Sequence, residues 1–313
     1  MPQTDHRFFL ARMNPTPPAA DVQASIAQLW IHPVKSCAGL SVQEAELTPT
    51  GLAWDRTWMV VDAQGEFVSQ RELPRMALIQ PAFKLDQLVL RAPGMLALHL
   101  SLDGVEAPRR VRVWDDEVDA WDMGDLAAQW FSDFLGPAAP ADLKRLRLVR
   151  FDPDVRRLSS LKWTRGREAL TQFADGFGVL VASAASLDEL NTRLARAGQA
   201  PVDMRRFRPN IVLAGVEPHD EDRIRGWRVH TPEGVAALEN VKPCARCPIP
   251  NVDPDTAASS PAVGDALQAY RQDPRLSGAI TFGMNAIVLG GDGLILRVGQ
   301  PVKFTVDALN NKA

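Results

Sequence analysis

The chain has 313 residues, of which 46% are hydrophobic and 23% charged, and its formal net charge is −3. This balance is typical of a globular protein of one large or two ordinary domains, and it gives no reason to expect binding to nucleic acid or to an anionic membrane. No apolar run approaches the ~20 residues of a membrane span. Three cysteines cannot form a disulfide framework, so we expect reduced thiols and a cytoplasmic location.

Residues 1–24 are polar and proline-rich, and we expect a poorly ordered tail. Its apolar run, Phe8-Phe9-Leu10, is too short for the core of a signal peptide. The rest of the sequence predicts a mainly β protein of the α+β type, because turn residues separate short β-branched and aromatic runs, as in a barrel or sandwich. The early runs predict strands at 26–31, 57–61, 66–70, 88–91, 96–102 and 111–113.

A helix is predicted over residues 125–135, with Asp125 as its cap and Gly136-Pro137 as its end. We place a boundary after this helix, which gives a first domain at 25–145 and a second at 146–307. The apolar residues on one face of the helix are Ala127, Trp130, Phe131 and Phe134.

The second domain is predicted to hold one helix among further strands. Ser186 and Glu189 have the spacing of a capping box, so this helix is expected to begin at Ser186. Leu187, Leu190 and Leu194 follow at helical spacing. The later strands are predicted at 146–149, 211–214, 227–230, 236–240, 279–289 and 294–298.

The most informative segment is Cys244-Ala245-Arg246-Cys247, which two prolines follow. A structural zinc site needs four Cys or His ligands, and the other cysteine and the five histidines show no ligand spacing. A thioredoxin-like redox pair would begin a helix, whereas a strand precedes this pair and the prolines favour a loop. Two ordinary loop cysteines are the simplest alternative. The adjacent Arg246 shifts the balance, because a cation favours the thiolate form that binds a metal.

Basic motifs occur at three other places. Lys35 and Ser36 follow a strand and suit an anion, although solvated lysines in loops are common. Arg56 could clamp an anion or simply pair with the aspartate before it. Residues 205–208 hold three arginines, which could grip a phosphate or form a basic edge that the acidic residues at 217–222 neutralise.

Taken jointly, these motifs resemble one family over about residues 25–305. The chain looks like a MOSC-domain protein with the β-barrel domain that commonly precedes MOSC, and within that family it resembles the mitochondrial amidoxime-reducing component and its bacterial relatives. The residues that carry the resemblance are His32–Ser36, Gly51-Leu52, Asp55-Arg56, Gln70-Arg71, Phe173–Gly176, Ser186-Leu187, Leu190-Asn191, Phe207–Ile211, Cys244, Arg246-Cys247, Val252–Thr256 and Val298-Gly299.

The resemblance implies an N-terminal β-barrel domain, then a MOSC β-barrel domain with a few helices, and a molybdopterin-type molybdenum cofactor. Cys247 would be the molybdenum ligand and the catalytic residue. The pyranopterin carries a phosphate and hydrogen-bonding edges, on which side chains from scattered loops can converge. The implied cofactor-binding residues are Lys35, Ser36, Arg56, Asp175, Gly176, Phe177, Arg208, Asn210, Arg246, Cys247 and Asn285.

The sequence departs from the family pattern at two site positions. Asn285 stands where animal relatives have an aromatic residue near the cofactor, and Ala245 between the cysteines lacks a hydroxyl group. The sequence also lacks the cysteine spacing of the plant-type [2Fe–2S] domain that some bacterial relatives carry. Electrons are therefore expected from a separate donor of the ferredoxin, flavoprotein or cytochrome b5 type.

The implied function is a molybdenum-dependent reductase that converts N-hydroxylated compounds (amidoximes, hydroxylamines and N-hydroxylated bases) to amines. The alternative within the family is a sulfur carrier, with a persulfide on Cys247 that Cys244 resolves. Asp253 could relay protons to the site, or it could cap the turn in which it lies.

Overall fold

The computed structural model describes residues 22–306. Residues 1–21 of the predicted tail lie outside this range, whereas residues 22–24 are the start of the first strand, so the tail prediction is wrong for them. Within the described range, no helix combines the length and apolar character that crossing a bilayer requires.

The fold is dominated by short strands, and the mainly β prediction is confirmed. The strands before the first helix are β1 (Val22–Ile31), β2 (Leu40–Val42), β3 (Glu44–Thr48), β4 (Gly51–Leu52), β5 (Trp58–Val61), β6 (Gln80–Lys84), β7 (Gln87–Arg91), β8 (Leu98–Ser101), β9 (Ala107–Val113) and β10 (Asp116–Asp122). The later strands are β11 (Arg147–Phe151), β12 (Arg157–Leu158), β13 (Leu170–Thr171), β14 (Val179–Ser183), β15 (Ile211–Ala214), β16 (Ile224–Thr231), β17 (Gly234–Ala245), β18 (Gln272–Asp273), β19 (Ala279–Gly290), β20 (Ile295–Arg297) and β21 (Pro301–Val306). The helices are α1 (Asp125–Leu135), α2 (Ala184–Arg196) and α3 (Ala262–Gln268).

Seven strands close into a barrel in the order β14-β15-β1-β21-β16-β17-β19, because β19 pairs back onto β14. β14 and β15 run parallel and are joined through α2, as parallel neighbours require a crossover. All other pairs in the ring are antiparallel. The inward side chains form one apolar core, which includes Ile26, Leu29, Val181, Ile211, Trp227 and Leu238.

Strands cross the predicted boundary at residue 145 in both directions. β1 belongs by position to the first domain, yet it lies between β15 and β21 in the barrel. β11 follows the boundary, yet it pairs with β5 and β10 in the four-stranded sheet β5-β11-β10-β9. The first half also contains the three-stranded sheet β6-β7-β8 and helix α1, while its strands β3 and β4 form a sheet with β20 of the second half. The domain limits themselves stay a prediction.

Helix α1 has the predicted bounds and the predicted buried face, but its predicted cap is wrong. The N-cap is Gly124, with φ of 90°, and Asp125 is the first helical residue. Glycine is favoured there because residues with a side chain rarely adopt this positive φ, whereas the nearest side chain, the exposed Glu106 carboxylate, could move away from a Cβ atom. Asp125 instead accepts hydrogen bonds from Arg147 at 3.0 Å.

Two further local predictions are wrong. Helix α2 is capped by Ser183, whose side chain accepts from Ser186 N, so Ser186 lies inside the helix and donates to Glu221. Segment 66–70 is not a strand: it makes only isolated bridges through Glu66 and Phe67. Phe67 N and Val68 N donate to the carbonyls of Arg112 and Val60, but Ser69 N and Oγ donate to the Glu72 side chain, which ends the pairing.

Candidate functional site

A cavity of about 220 Å³ lies between loops of the two halves and the barrel strands β14, β17 and β19. The structure brings all eleven of the predicted cofactor-binding residues to its wall, while their role as cofactor ligands stays a prediction. They are Lys35, Ser36, Arg56, Asp175, Gly176, Phe177, Arg208, Asn210, Arg246, Cys247 and Asn285.

Ten wall residues were not in the predicted set. Arg71 had a sequence signal, since it belongs to the Gln70-Arg71 motif, and Cys244 had one in its spacing from Cys247. Lys242 carried no signal as a single lysine in a strand. The others are Phe67, Ser69, Ala174, Leu180, Phe207, Ala245 and Ile249.

Lys35 and Ser36 occupy a tight turn directly after β1. Ser36 has φ of 65°, and Gln70 Nε2 holds this turn by donating to the Ser36 carbonyl at 2.6 Å. Lys35 Nζ donates to the Phe173 carbonyl at 2.9 Å and to Asp175 Oδ1 at 2.5 Å. Burial lowers the pKa of Lys35 from its ordinary value, and the Asp175 carboxylate opposes that shift. The ammonium is thus fixed at the wall of the cavity.

Asp175 is the partner of Lys35 from the opposite half of the chain. The protein that surrounds Asp175 in the cavity wall would by itself raise its pKa by desolvation, but the Lys35 ammonium outweighs this effect, and the net pKa lies well below the usual range. Trp114 Nε1 also donates to Asp175 Oδ1, at 3.2 Å. Because 69% of the Asp175 side chain is exposed, solvent screens this ion pair and limits what it adds to stability.

Arg56 is held from several sides. The alternative in which it pairs with the aspartate before it is confirmed; it also lines the cavity, while its role as an anion clamp stays a prediction. Its Nη1 donates to both oxygens of Asp55, at 2.7 and 2.6 Å, and to Asn210 Oδ1 at 3.2 Å. Its Nη2 donates to the Arg208 carbonyl at 3.0 Å. Burial would raise the pKa of Asp55, but the Arg56 guanidinium keeps it lowered. The Asp55–Arg56 pair therefore fixes the loop at residues 208–210.

Arg208 has no carboxylate partner among the described residues. It has φ of 57° at the end of a short 3₁₀ turn, and its Nη1 donates to the Cys37 carbonyl at 2.5 Å. Its Nη2 is buried without a protein acceptor. Burial, together with repulsion from Arg56, lowers the pKa of Arg208 to about 10, so it remains a cation at neutral pH.

The other two arginines of the cluster are neutralised, but by different residues from those predicted. Arg205 pairs with Asp203 and Asp255, each at 2.6 Å, and Arg206 pairs with Asp253 at 2.8 Å. The acidic residues at 217–222 are not their partners, since they lie at the other end of β15. Within residues 205–208, only Arg208 lines the cavity.

The two cysteines of the pair differ in local structure. Strand β17 runs to Ala245, so Cys244 lies in a strand and not in the predicted loop, whereas Cys247 lies in the loop that begins at Arg246. Arg246 Nη1 contacts Cys244 Sγ at 3.0 Å, and its Nη2 donates to the Phe207 carbonyl at 2.8 Å. Arg246 Nε is buried without a protein acceptor. The third cysteine, Cys37, is fully buried, and burial raises its pKa to about 12.

The side chain of Asp253 binds backbone groups of the turn in which it lies. Its Oδ1 accepts from Asp255 N at 3.0 Å, Thr256 N at 2.9 Å and Thr256 Oγ1 at 3.0 Å, and its Oδ2 binds Arg206. It is not among the residues that line the cavity. The capping role is therefore the one that its contacts support.

The cavity wall is strongly cationic, with six Lys and Arg side chains against one carboxylate, Asp175. Two of these cations, Arg208 and Arg246, each carry a buried N–H group that no protein atom accepts. Such groups are costly unless a bound molecule accepts from them. A partly exposed thiol, Cys247, lies in the same wall and is a soft ligand. This donor set fits an anionic cofactor with a thiophilic metal.

Comparison with known protein families identifies the family of this chain. Residues 23–138 match the MOSC N-terminal beta barrel domain, and residues 170–303 match the MOSC domain. The chain therefore belongs to the MOSC family, with both of these domains in order.

Its similar relatives include the mitochondrial amidoxime-reducing component 1 of Mus musculus, which is 36% identical over 89% of this chain and 81% of the relative. The corresponding protein of Homo sapiens is 35% identical over 89% and 82%. A crystal structure of the YUAD protein from Bacillus subtilis covers 92% of this chain and 98% of its own, at 13% identity and a TM-score of 0.39.

Proposed function

We propose that this protein is a molybdenum-cofactor-dependent reductase, which converts N-hydroxylated compounds such as amidoximes, hydroxylamines and N-hydroxylated bases to amines. The names of its relatives support the substrate class. The observation that carries the proposal is the cavity itself, where a partly exposed cysteine lies among six cations and a single carboxylate. We further propose a cytoplasmic location and a separate electron-donor protein of the ferredoxin, flavoprotein or cytochrome b5 type.

In this proposal Cys247 supplies the thiolate ligand to molybdenum. The buried N–H groups of Arg208 and Arg246 would bind the anionic and hydrogen-bonding edges of the pterin, together with Ser36, Asn210 and the Asp175–Phe177 turn. When bound, the cofactor supplies two-electron chemistry at a metal that takes up oxygen. Asn285 lies on β19 between Leu180 and Lys242, which places its amide at the barrel side of the cavity.

The reaction consumes two electrons and two protons, and it releases one water for each N–OH group that becomes N–H. Lys35 Nζ holds a proton at the cavity wall, and its lowered pKa makes the ammonium a better donor than an exposed lysine. Asp175 orients that ammonium through their 2.5 Å contact. Phe177 and Phe207 form an apolar part of the same cavity wall.

The test uses protein purified from a host that makes the cofactor. We expect about one molybdenum per chain, a fluorescent oxidised pterin, and reduction of benzamidoxime with chemically reduced viologen as electron source. Cys247→Ala should lose the metal and the activity, whereas Cys37→Ala, which changes a buried thiol outside the cavity wall, should keep both.

A wild-type level of molybdenum in Cys247→Ala would overturn the ligand assignment. Wild-type protein without molybdenum, but with Cys247 heavier by one sulfur atom in its mass spectrum, would instead establish the sulfur-carrier alternative.

A further inference from the structure

The loop of residues 69–72 is tied down beside the Ser36 turn. Ser69 N and Oγ donate to Glu72 Oε2 at 3.0 and 2.6 Å, and Arg71 N donates to Ser69 Oγ at 3.2 Å. Gln70 Nε2 donates to the Ser36 carbonyl. These bonds fix the backbone of Arg71 next to residues of the proposed cofactor site.

The guanidinium of Arg71 lies against two aromatic rings. Its Cζ lies 4.7 Å from the centroid of the Trp114 ring and 5.5 Å from that of Phe67, and these two rings lie 5.0 Å apart. Stacking engages the face of a guanidinium and leaves the N–H groups at its edge free to donate. Arg71 lines the cavity, with 20% of its side chain exposed.

The N–H groups of the Arg71 guanidinium make few hydrogen bonds to the protein. The one side-chain bond of Arg71 joins Nε to Glu72 Oε1 at 3.5 Å, at the limit of a hydrogen bond. The other Glu72 oxygen is occupied by Ser69. Within residues 22–306, neither Nη atom of Arg71 donates to a protein acceptor. Arg71 thus brings two donor nitrogens, without a protein acceptor in that range, to an already cationic cavity.

We propose that Arg71 is an anion-binding residue of this cavity, and that it donates a forked pair of hydrogen bonds to a carboxylate or phosphate of the bound molecule. Planar guanidinium groups match both anions in this geometry. The inference rests on the proposed function only for the source of the anion. It is either the cofactor's phosphate or a carboxylate on the N-hydroxylated substrate.

Arg75 provides a matched control, because it also packs on an aromatic ring but lies outside the cavity wall. If Arg71 has only a structural role, its replacement should have the same effect as replacement of Arg75. Arg75 Cζ lies 4.4 Å from the Phe134 ring centroid, and Arg75 does not line the cavity. Arg71→Gln, Arg71→Lys and Arg75→Gln would be compared as full-length protein. The measurements are pterin and molybdenum per chain, KM for benzamidoxime and for 4-carboxybenzamidoxime, and calorimetric Kd for benzamidine and 4-carboxybenzamidine.

If the substrate supplies the anion, Arg71→Gln should raise KM and Kd about tenfold for the carboxylated compounds only, with an unchanged cofactor content. If the cofactor supplies it, the pterin content should fall several-fold in Arg71→Gln. In either arm Arg71→Lys should recover part of the loss, since it keeps the charge without the fork.

Equal behaviour of Arg71→Gln and Arg75→Gln in all three measurements would overturn the proposal. Wild-type protein without molybdenum would overturn the proposed function alone, because the calorimetric comparison of the two benzamidines still tests Arg71.

Discussion

Arg246 contacts the sulfur of Cys244 at 3.0 Å, although Cys247 is its direct neighbour in the sequence. The guanidinium is held from behind by the Phe207 carbonyl, so it spans the gap between the end of β17 and the turn before β15. The pair of cysteines is therefore asymmetric: one thiol is engaged by a protein cation, and the other remains available to a ligand.

This asymmetry predicts different results for the two cysteines. Cys244→Ser keeps a small hydrogen-bonding side chain for Arg246, so we expect most of the molybdenum to be retained. Cys247→Ser replaces a soft ligand by a hard one, so we expect the metal to be lost. Metal content by mass spectrometry decides between them, and equal loss in both variants would mean that the cysteines act as a pair.

Arg56 and Arg208 lie in contact, yet replacing each of them should have opposite effects on the stability of the cofactor-free protein. Arg56→Met leaves the Asp55 carboxylate, only 2% exposed, without its partner, and should cost about 3–5 kcal/mol of unfolding free energy. Arg208→Met removes a buried cation that lacks a carboxylate, and should leave the thermal midpoint unchanged or higher.

Both variants should lose cofactor, although only Arg56→Met should lose stability. The loss of cofactor in Arg208→Met could then not be attributed to unfolding. Thermal unfolding of cofactor-free protein and pterin content of loaded protein are the two measurements. A large drop in the midpoint for Arg208→Met would show that its bond to the Cys37 carbonyl outweighs the cost of burying the cation.

Gly51 permits a close backbone approach beneath the cavity. With φ of 119°, a Cβ atom there would lie 2.1 Å from the Gly178 carbonyl oxygen, next to the Asp175–Phe177 turn. Gly51→Ala should cost about 2–3 kcal/mol and reduce the cofactor content. Gly94→Ala is the control, since Gly94 also has positive φ, 77°, but nothing within 4 Å of its Cβ position. It should cost only about 1 kcal/mol.

His219 lies away from the cavity, and its lowered pKa predicts that the stability of the protein depends on pH. Burial, and then Arg271 and Arg193, lower the pKa of His219 to about 4, while Glu189 at 3.4 Å opposes the shift. The unfolded chain binds more protons between pH 4 and 6.5, so folding stability rises with pH across that window and is lost as the pH falls through it. His219→Asn should flatten the dependence, as measured by urea unfolding at pH 5 and pH 7.

The exposed His99 supplies the matched control for that experiment, as His99→Asn. An unchanged slope in His219→Asn would assign the rise of stability with pH to another group of the same sign, such as the buried His32, whose pKa burial also lowers.

The sequence predicted the residues of the candidate site better than the elements that position them. Lys35, Arg56, Arg208 and Cys247 lie in short local motifs, each of which left a simpler alternative open. Only the joint resemblance of these motifs to one family assigned the four residues to a site. The stacking of Arg71 on Trp114 joins a loop to a hairpin 43 positions away, and periodicity carries no signal of it.

Competition between two nearby serines explains the error in the predicted cap of α2. Ser183 and Ser186 both have the capping side chain, and the strand β14 that ends at Ser183 decides which of them begins α2. The extension of β17 to Cys244 likewise depends on a partner, since Ala245 pairs with Thr281 of β19. A single segment cannot reveal the length of its partner strand.

The position of β1 also has a consequence for the order of assembly. Its partners in the barrel, β15 and β21, lie roughly 180 and 270 residues further along the chain. Contacts so distant in sequence form slowly, so the ring closes late in folding. Lys35 and Ser36 lie in the loop after β1, whereas Cys247 and Asn285 come from much later segments, so the wall of the cavity is assembled late as well.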